Sequence, residues 1–239
     1  MTPLNVMTWL WQQDESRSKY TTEHVNIWAD MVTRNLTTPH TISVVTNIKR
    51  GLDERINVIP LPEFHSEFDN PHWPKSKGVP QCYRRLDMFR SDAHEQYGQR
   101  FVSMDLDCVI TKNIDHLFKR DDEFIITKGT SSKRPYNGSM VMLTSGARSS
   151  LYDKFTPQRS TKASSMYVGS DQAWMAYCLG WCENVWNEKD DGVWFYNKRT
   201  FDNKHLSPEK DMCIVFFAGE HKPWDTQYKW VTENYKRGV

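Results

Sequence analysis

The sequence predicts a single-domain α/β layer fold, and three observations support that prediction. Short apolar runs rich in β-branched residues alternate with stretches of helical spacing. The runs end at charged or glycine-containing loops, which puts a ligand at the carboxyl ends of the strands. The 239 residues hold no internal repeat, low-complexity tract or dividing linker, so one domain is expected.

The first strand is expected over Leu4 to Trp11. A polar loop, QQDESRSKYTTE, leads into a helix from about Glu23 to Leu36, where Val25, Trp28, Ala29, Val32 and Leu36 recur near helical spacing and Thr22 fits an N-cap. Ile42 to Thr46 is a second strand and Asn57 to Leu61 a third, closed by Pro60 and Pro62. Residues 64–81, FHSEFDNPHWPKSKGVPQ, lack any period and read as a long loop, a feature that is often functional inside a compact domain. Tyr83 to Phe89 reads as helical, and Arg100 to Met104 is a strand running into Asp105-Leu106-Asp107. Phe124 to Thr127 and Ser139 to Leu143 are strands on either side of a Gly/Ser/Lys loop. A helix follows over Ser170 to Cys178, and Ile214 to Phe217 is the last strand, before GEHKPWD.

Composition narrows the function classes. The 31 Lys and Arg nearly balance 30 Asp and Glu, leaving a net charge of +1 and no overall field to hold a polyanion. No local basic patch is obvious either, so general nucleic-acid binding is not expected. Cysteines 82, 108, 178, 182 and 213 are irregularly spaced and form no Cys-x-x-Cys pair, which favours reduced, mostly buried thiols over a disulfide framework or zinc knuckle. MTPLNVMTWLW has no basic leader before an apolar run, and no stretch approaches the ~20 apolar residues of a membrane span. A cytoplasmic protein is expected. Aromatics make up 13% of the chain, enough for a core and for stacking pockets.

The sharpest local signal is VSMDLDCVI, two carboxylates at i and i+2 at the end of an apolar strand. Mg²⁺ and Mn²⁺ take oxygen ligands and are commonly held by one or two carboxylates plus substrate phosphates. Asp105 and Asp107 are the candidate ligands; a strand-end turn with solvated acids is the plainer alternative.

Four further segments accompany this one: CYRRLDMF, PYNGSMVM, VGSDQAW and FFAGEHKPW. Their order and spacing resemble glycosyltransferase family 8 and its bacterial and phage relatives. The residues that carry the likeness are Arg85-Leu86, Asp105-x-Asp107, Asn137-Gly138-Ser139, Asp171-Gln172 and Gly219-x-x-Lys222-Pro223-Trp224, and it runs from the first strand to Trp224. The resemblance implies a GT-A fold, a Rossmann-like mixed sheet flanked by helices. It places a nucleotide-binding part at about 1–110 and an acceptor-side part at about 111–239. The implied activity is retaining transfer of a sugar from a nucleotide-sugar donor, a UDP-sugar first, to a saccharide or other hydroxyl acceptor, assisted by Mn²⁺ or Mg²⁺.

It also implies roles for individual residues. Asp105 and Asp107 would hold the metal, while Arg85 and Lys222 would meet the negative charge that grows on the leaving diphosphate. Asn137, Gly138, Ser139 and Gly219 belong to the donor site, with Asn137 bonding sugar hydroxyls and Gly138 letting the sugar approach the backbone. Asp171 would bind the donor sugar, although a carboxylate at a helix start also fits an N-cap. Gln172 is the candidate for stabilising an oxocarbenium-like transition state. Thr8, Trp11 and Tyr20 would cradle the base, Tyr20 by stacking; for Trp9 and Trp11 taken singly, core packing is the stronger reading. Acceptor contacts are expected from the loop at 64–81 and from residues 153–167.

One departure stands out. Where the family places a third metal ligand, a His, this chain has Phe216 and Ala218, and His221 could substitute only if its loop bends differently. A sugar-nucleotide-binding protein with a lapsed metal site is therefore an alternative. A haloacid-dehalogenase-type phosphatase is another, on the Asp-x-Asp alone, though it leaves the Arg-Leu and Lys-Pro-Trp segments unexplained.

Overall fold

The computed structural model describes residues 3–12, 20–66, 68, 81–197, 201 and 212–238. A seven-stranded mixed sheet runs in the order β3-β2-β1-β4-β7-β6-β8. Its strands are β1 (Leu4–Leu10), β2 (His40–Thr46), β3 (Asn57–Pro60), β4 (Arg100–Met104), β6 (Phe124–Ser131), β7 (Arg134–Thr144) and β8 (Asn184–Trp186). The first four strands are parallel, and β7 enters antiparallel between β4 and β6. β5 (Cys108–Ile110), β10 (Ile214–Phe216) and β9 (Val193–Phe195) form a second, three-stranded sheet.

The helix α1 (Thr22–Asn35) packs on one face of the large sheet, where Val25, Trp28, Ala29 and Val32 meet Val6, Leu10 and Val44. These positions follow the helical period, so one apolar stripe is buried. Its N-cap is Thr21, not Thr22, and the Thr21 backbone N–H donates to His24 Nδ1 at 3.0 Å, with His24 in the place a Glu or Gln takes in a capping box. On the opposite face lie a 3₁₀ segment (Cys82–Phe89) and the helices α2 (His94–Tyr97), α4 (Ser150–Asp153), α5 (Pro157–Met166) and α6 (Asp171–Leu179). α3 (Asp115–Phe118), α7 (Glu188–Asp191) and α8 (Lys229–Asn234) complete the described helices.

Two differences from the expected elements matter for the site. The Asn-Gly at 137–138 reads as a turn before a strand, but β7 already begins at Arg134. Its pairing with β6 skips from Val141 opposite Ile126 to Asn137 opposite Thr127, so residues 138–140 bulge out of the ladder. The second difference is β5, a three-residue strand hidden behind the Asp-x-Asp. It pairs antiparallel with β10, Cys108 opposite Phe216, and this register brings the C-terminal loop beside Asp107. The bond from Phe217 N to Asp107 O, 2.7 Å, closes the junction.

The loop at 64–81 falls largely outside the described residues. Its described part is anchored by aromatic packing: Phe64 stacks on Tyr152 with ring centroids 4.4 Å apart, and Phe68 lies 5.3 Å from Tyr83. Residues 153–167 are mostly the helix α5. No described helix is long and apolar enough to cross a membrane.

Candidate functional site

β4 delivers Asp105 and Asp107 to the carboxyl edge of the sheet, and three other parts of the chain converge on them. The 3₁₀ segment has about three residues per turn, so Cys82 and Arg85 share a face. From that face the Arg85 guanidinium bridges two carboxylates. Nη1 donates to Asp105 Oδ1 at 2.6 Å, while Nε and Nη2 donate to Asp171 Oδ2 at 2.9 and 2.6 Å. The planar fork lets one cation serve both acids, which a point charge would not.

Asp171 is buried at the first position of α6, with Ser170 as the N-cap residue. Its Oδ1 accepts from its neighbour Gln172 N at 3.0 Å and from Ser170 Oγ at 3.3 Å. Gly138 explains how Arg85 and Asp171 come so close. A Cβ there would lie 3.2 Å from Arg85 Nη2 and 3.6 Å from Asp171 Oδ2, so the glycine admits the ion pair itself. Asn137 Oδ1 accepts from Ser139 N at 2.8 Å and holds the bulge, while Ser139 O accepts from Asp105 N at 2.8 Å. Gln172 does not turn toward the ion pairs; its Nε2 donates to Val168 O at 3.3 Å.

The C-terminal loop supplies the second cation. Gly219 takes φ +133, a conformation L side chains rarely adopt, and the chain turns there to bring Lys222 inward. The buried Lys222 ammonium donates to Asp107 Oδ2 and to Phe217 O, and lies 5.5 Å from the centre of the Tyr20 ring. Tyr20 was expected only as a stacking ring, yet its hydroxyl also donates to Asp107 Oδ2, at 3.0 Å. Trp224 lies edge-on to Tyr20 at 5.7 Å and stacks on His24 at 4.0 Å. Burial pushes the His24 pKa down, more than the nearby Glu23 and Asp225 raise it.

Thr8 is fully buried, and among the described residues neither its Oγ1 nor the buried Nε1 of Trp11 has a hydrogen-bond partner. Trp9 serves the core, donating to Ser103 Oγ at 2.9 Å.

The electrostatics follow from three acids and two cations packed together. Burial disfavours the charged form of Arg85, but Asp171 and Asp105 more than offset this and raise its pKa, so it stays a cation. Burial raises the Asp105 pKa, with Asp107 adding to the shift and Arg85 opposing it. Cys82 adjoins this cluster, a placement that sequence reasoning missed although its three-residue spacing from Arg85 was a usable signal. Its thiol is pushed up to about 12, first by burial and then by Asp171.

Two carboxylates at i and i+2 are an oxygen donor set that suits Mg²⁺ or Mn²⁺ if substrate oxygens and water complete the shell. Among the described residues no group of three His, Cys, Asp or Glu could hold a metal ion. Phe216 is fully buried, and the His221 ring lies 5.9 Å from Tyr196, edge-on. Asp105 and Asp107 could therefore hold a hard cation only if other oxygens completed its shell.

No family model matches the sequence, and no curated protein matches it. Solved structures do match the fold. The galactosyltransferase LgtC, in complex with donor and acceptor sugar analogues, superposes with a TM-score of 0.60 at 11% identity, over 92% of this chain and 89% of LgtC. The glycosyltransferase GlyE of Streptococcus pneumoniae TIGR4 gives 0.59 at 11% identity, over 94% of this chain and 57% of GlyE. Mouse xyloside xylosyltransferase 1 gives 0.54 at 10%, over 91% and 98%. The fold is the GT-A fold of glycosyltransferases, as expected.

Proposed function

We propose that this chain is a glycosyltransferase resembling family 8, which moves a hexosyl group from a UDP-sugar to an acceptor hydroxyl with retention. The observation that carries this reading is the convergence of Arg85 and Lys222 on three carboxylates at the end of β4. Cations at this point would meet the charge that grows on a diphosphate leaving group, which supports the reading. Support also comes from the neighbours, since LgtC was solved with donor and acceptor sugar analogues.

In the proposed reaction the bond from the anomeric carbon to the diphosphate oxygen breaks, and its electron pair stays on that oxygen. Lys222 exchanges its bond to Asp107 for one to the departing diphosphate, and Arg85 holds Asp171 against the sugar hydroxyls. The acceptor oxygen bonds to the anomeric carbon from the same face, and its proton passes to the departing diphosphate. Gln172, close in sequence to that carbon's binding residues, would rotate from Val168 to stabilise the positive charge. Mn²⁺ or Mg²⁺, when bound by Asp105 and Asp107, would supply a Lewis acid for the diphosphate. Thr8, Trp11 and Tyr20 would cradle the base; among the described residues the buried Thr8 Oγ1 and Trp11 Nε1 have no hydrogen-bond partner.

A panel of UDP-sugars with Mn²⁺, assayed for free UDP, tests this. The expected result is release from at least one donor, reduced more than about 100-fold in Asp107→Ala by loss of charge stabilisation. Binding without release would instead assign a lapsed sugar-nucleotide module. Turnover of simple phosphate monoesters alone would assign a phosphatase, which the GT-A fold does not favour.

A further inference from the structure

The balanced total charge conceals a strong local imbalance. Residues 124–170 contain seven of the chain's 31 Lys and Arg but one of its 30 Asp and Glu. Of the seven, Arg148 is paired with Glu183. The other six are Lys128, Lys133, Arg134, Lys154, Arg159 and Lys162. Among the described residues none of these six is in an ion pair, and all but the half-buried Arg134 are exposed.

The fold places these cations beside the site. Lys128, Lys133 and Arg134 lie on the hairpin of β6 and β7, at the sheet edge that carries Asp105 and Asn137. Lys154, Arg159 and Lys162 lie on or just before α5, where Arg159 and Lys162 sit 5.5 and 5.9 Å from the ring centres of Trp174 and Tyr177 on α6. The chain between α5 and α6 joins the two groups, since Val168 N donates to Lys133 O at 2.8 Å. It then leads directly into Ser170 and Asp171. Among the described residues six cations without counter-ions thus run from the sheet edge beside Asp105 along α5 toward the far end of α6, where Lys154 and Arg159 lie close enough to act on Cys178.

We infer that this face binds a phosphodiester strand, so that the acceptor hydroxyl is presented on, or alongside, a nucleic-acid chain. The inference rests on the transferase reading for the word acceptor, but the binding face stands on its own charges. Unpaired lysines spread over two elements match a regularly repeated phosphate charge. A membrane is the less suitable partner. Docking to lipid needs apolar side chains that enter the bilayer beneath the cations. Among the described residues only Met166, Val168 and Trp181 are large, apolar and exposed, too few for an apolar face that would enter a bilayer.

The test is fluorescence anisotropy of a labelled single-stranded 20-nucleotide probe (about that length) at about 50 mM salt and across a salt series, conditions in which phosphate contacts dominate. Wild type should bind, and the affinity should fall steeply with salt. Lys128→Glu/Lys133→Glu and Lys154→Glu/Lys162→Glu should each weaken binding at least about tenfold. Their Lys→Gln counterparts should lower the log–log salt slope by about 0.7 per lysine removed. All these side chains are exposed, and unchanged thermal unfolding checks the fold of each variant. In Lys128→Glu/Lys133→Glu, UDP release without acceptor should stay within about twofold of wild type, because neither lysine touches the ion-paired cluster. No strand binding by wild type, binding that survives both charge reversals, or binding to anionic vesicles without strand binding would each overturn the inference. Strand binding without UDP release would overturn the transferase reading alone.

Discussion

Lys222 occupies the carboxylate that a metal would use. Its ammonium donates to Asp107 Oδ2, the same oxygen that takes the Tyr20 hydroxyl at 3.0 Å, and both residues are buried. A divalent cation must therefore displace Lys222 or share the carboxylate with it. A diphosphate eases this conflict, because it offers Lys222 a new partner and the metal further oxygens. Mn²⁺ is expected to bind the protein alone weakly and at least about tenfold more tightly with UDP, a gain of about 1.4 kcal/mol. Lys222→Met should tighten Mn²⁺ binding in the absence of UDP and shrink that coupling, measured by the spin-resonance signal of free Mn²⁺.

Arg85 is held by geometry as much as by charge. Lys at this position keeps the charge but cannot bridge Asp105 and Asp171 as the fork does. Arg85→Lys should lower UDP release at least about tenfold while unfolding at nearly the wild-type temperature. Arg85→Ala leaves two carboxylates uncompensated and should cost about 3–5 kcal/mol in denaturant unfolding.

Thiol chemistry should separate Cys182 from Cys82. Cys182 is exposed, whereas the Cys82 thiol is pushed up to about 12 by burial and then by Asp171. At pH 8 Cys82 therefore stays a thiol, and the thiolate is the nucleophile. Iodoacetamide at pH 8 should label Cys182 first, as read by peptide mass spectrometry, without loss of UDP release. Early labelling of Cys82 would contradict this burial.

Asp115 should set part of the acid limb of stability. Burial alone would raise its pKa, but the Thr37 hydroxyl and backbone N–H, the Thr38 N–H and Lys119 outweigh it and hold the carboxyl well below the usual range. A depressed folded-state pKa gives stability that is present above the unfolded value, near 3.9, and is lost as pH falls through the folded one. Asp115→Asn should lower stability at pH 7 by about 1–3 kcal/mol, as hydrogen bonds to a charged group are worth. It should also flatten the decline below about pH 4, in urea unfolding followed across pH.

Much of the fold was legible in the sequence because its signals are local. The apolar period of α1 and the mainly apolar β4, Phe101 to Met104 buried on both faces, depend on neighbours a few residues apart. Segments whose shape depends on distant partners carry no such local signal. Residues 134–138 look like a loop entering a turn, and only pairing with β6 makes them strand. β5 and β9 are three residues each and have no pattern of their own, so only their ladders with β10 define them.

The sequence by itself determined the alternation of strands and helices, the acids that close β4, and the Arg, Asn-Gly, Asp-Gln and Lys-Pro-Trp segments that belong with them. Tertiary structure alone decided the partners. Arg85 meets Asp171 across 86 residues, and Lys222 meets Asp107 across 115. It also decided that Gly138 makes room for an ion pair, that the Tyr20 hydroxyl reaches Asp107, and that the β6–β7 hairpin with Lys128 and Lys133 lies at the sheet edge that carries Asp105. The division has a physical cause. Periodicity and propensity are set within a turn or two of backbone, whereas ion pairing and desolvation depend on distances that exist only once sheet register has brought remote segments together.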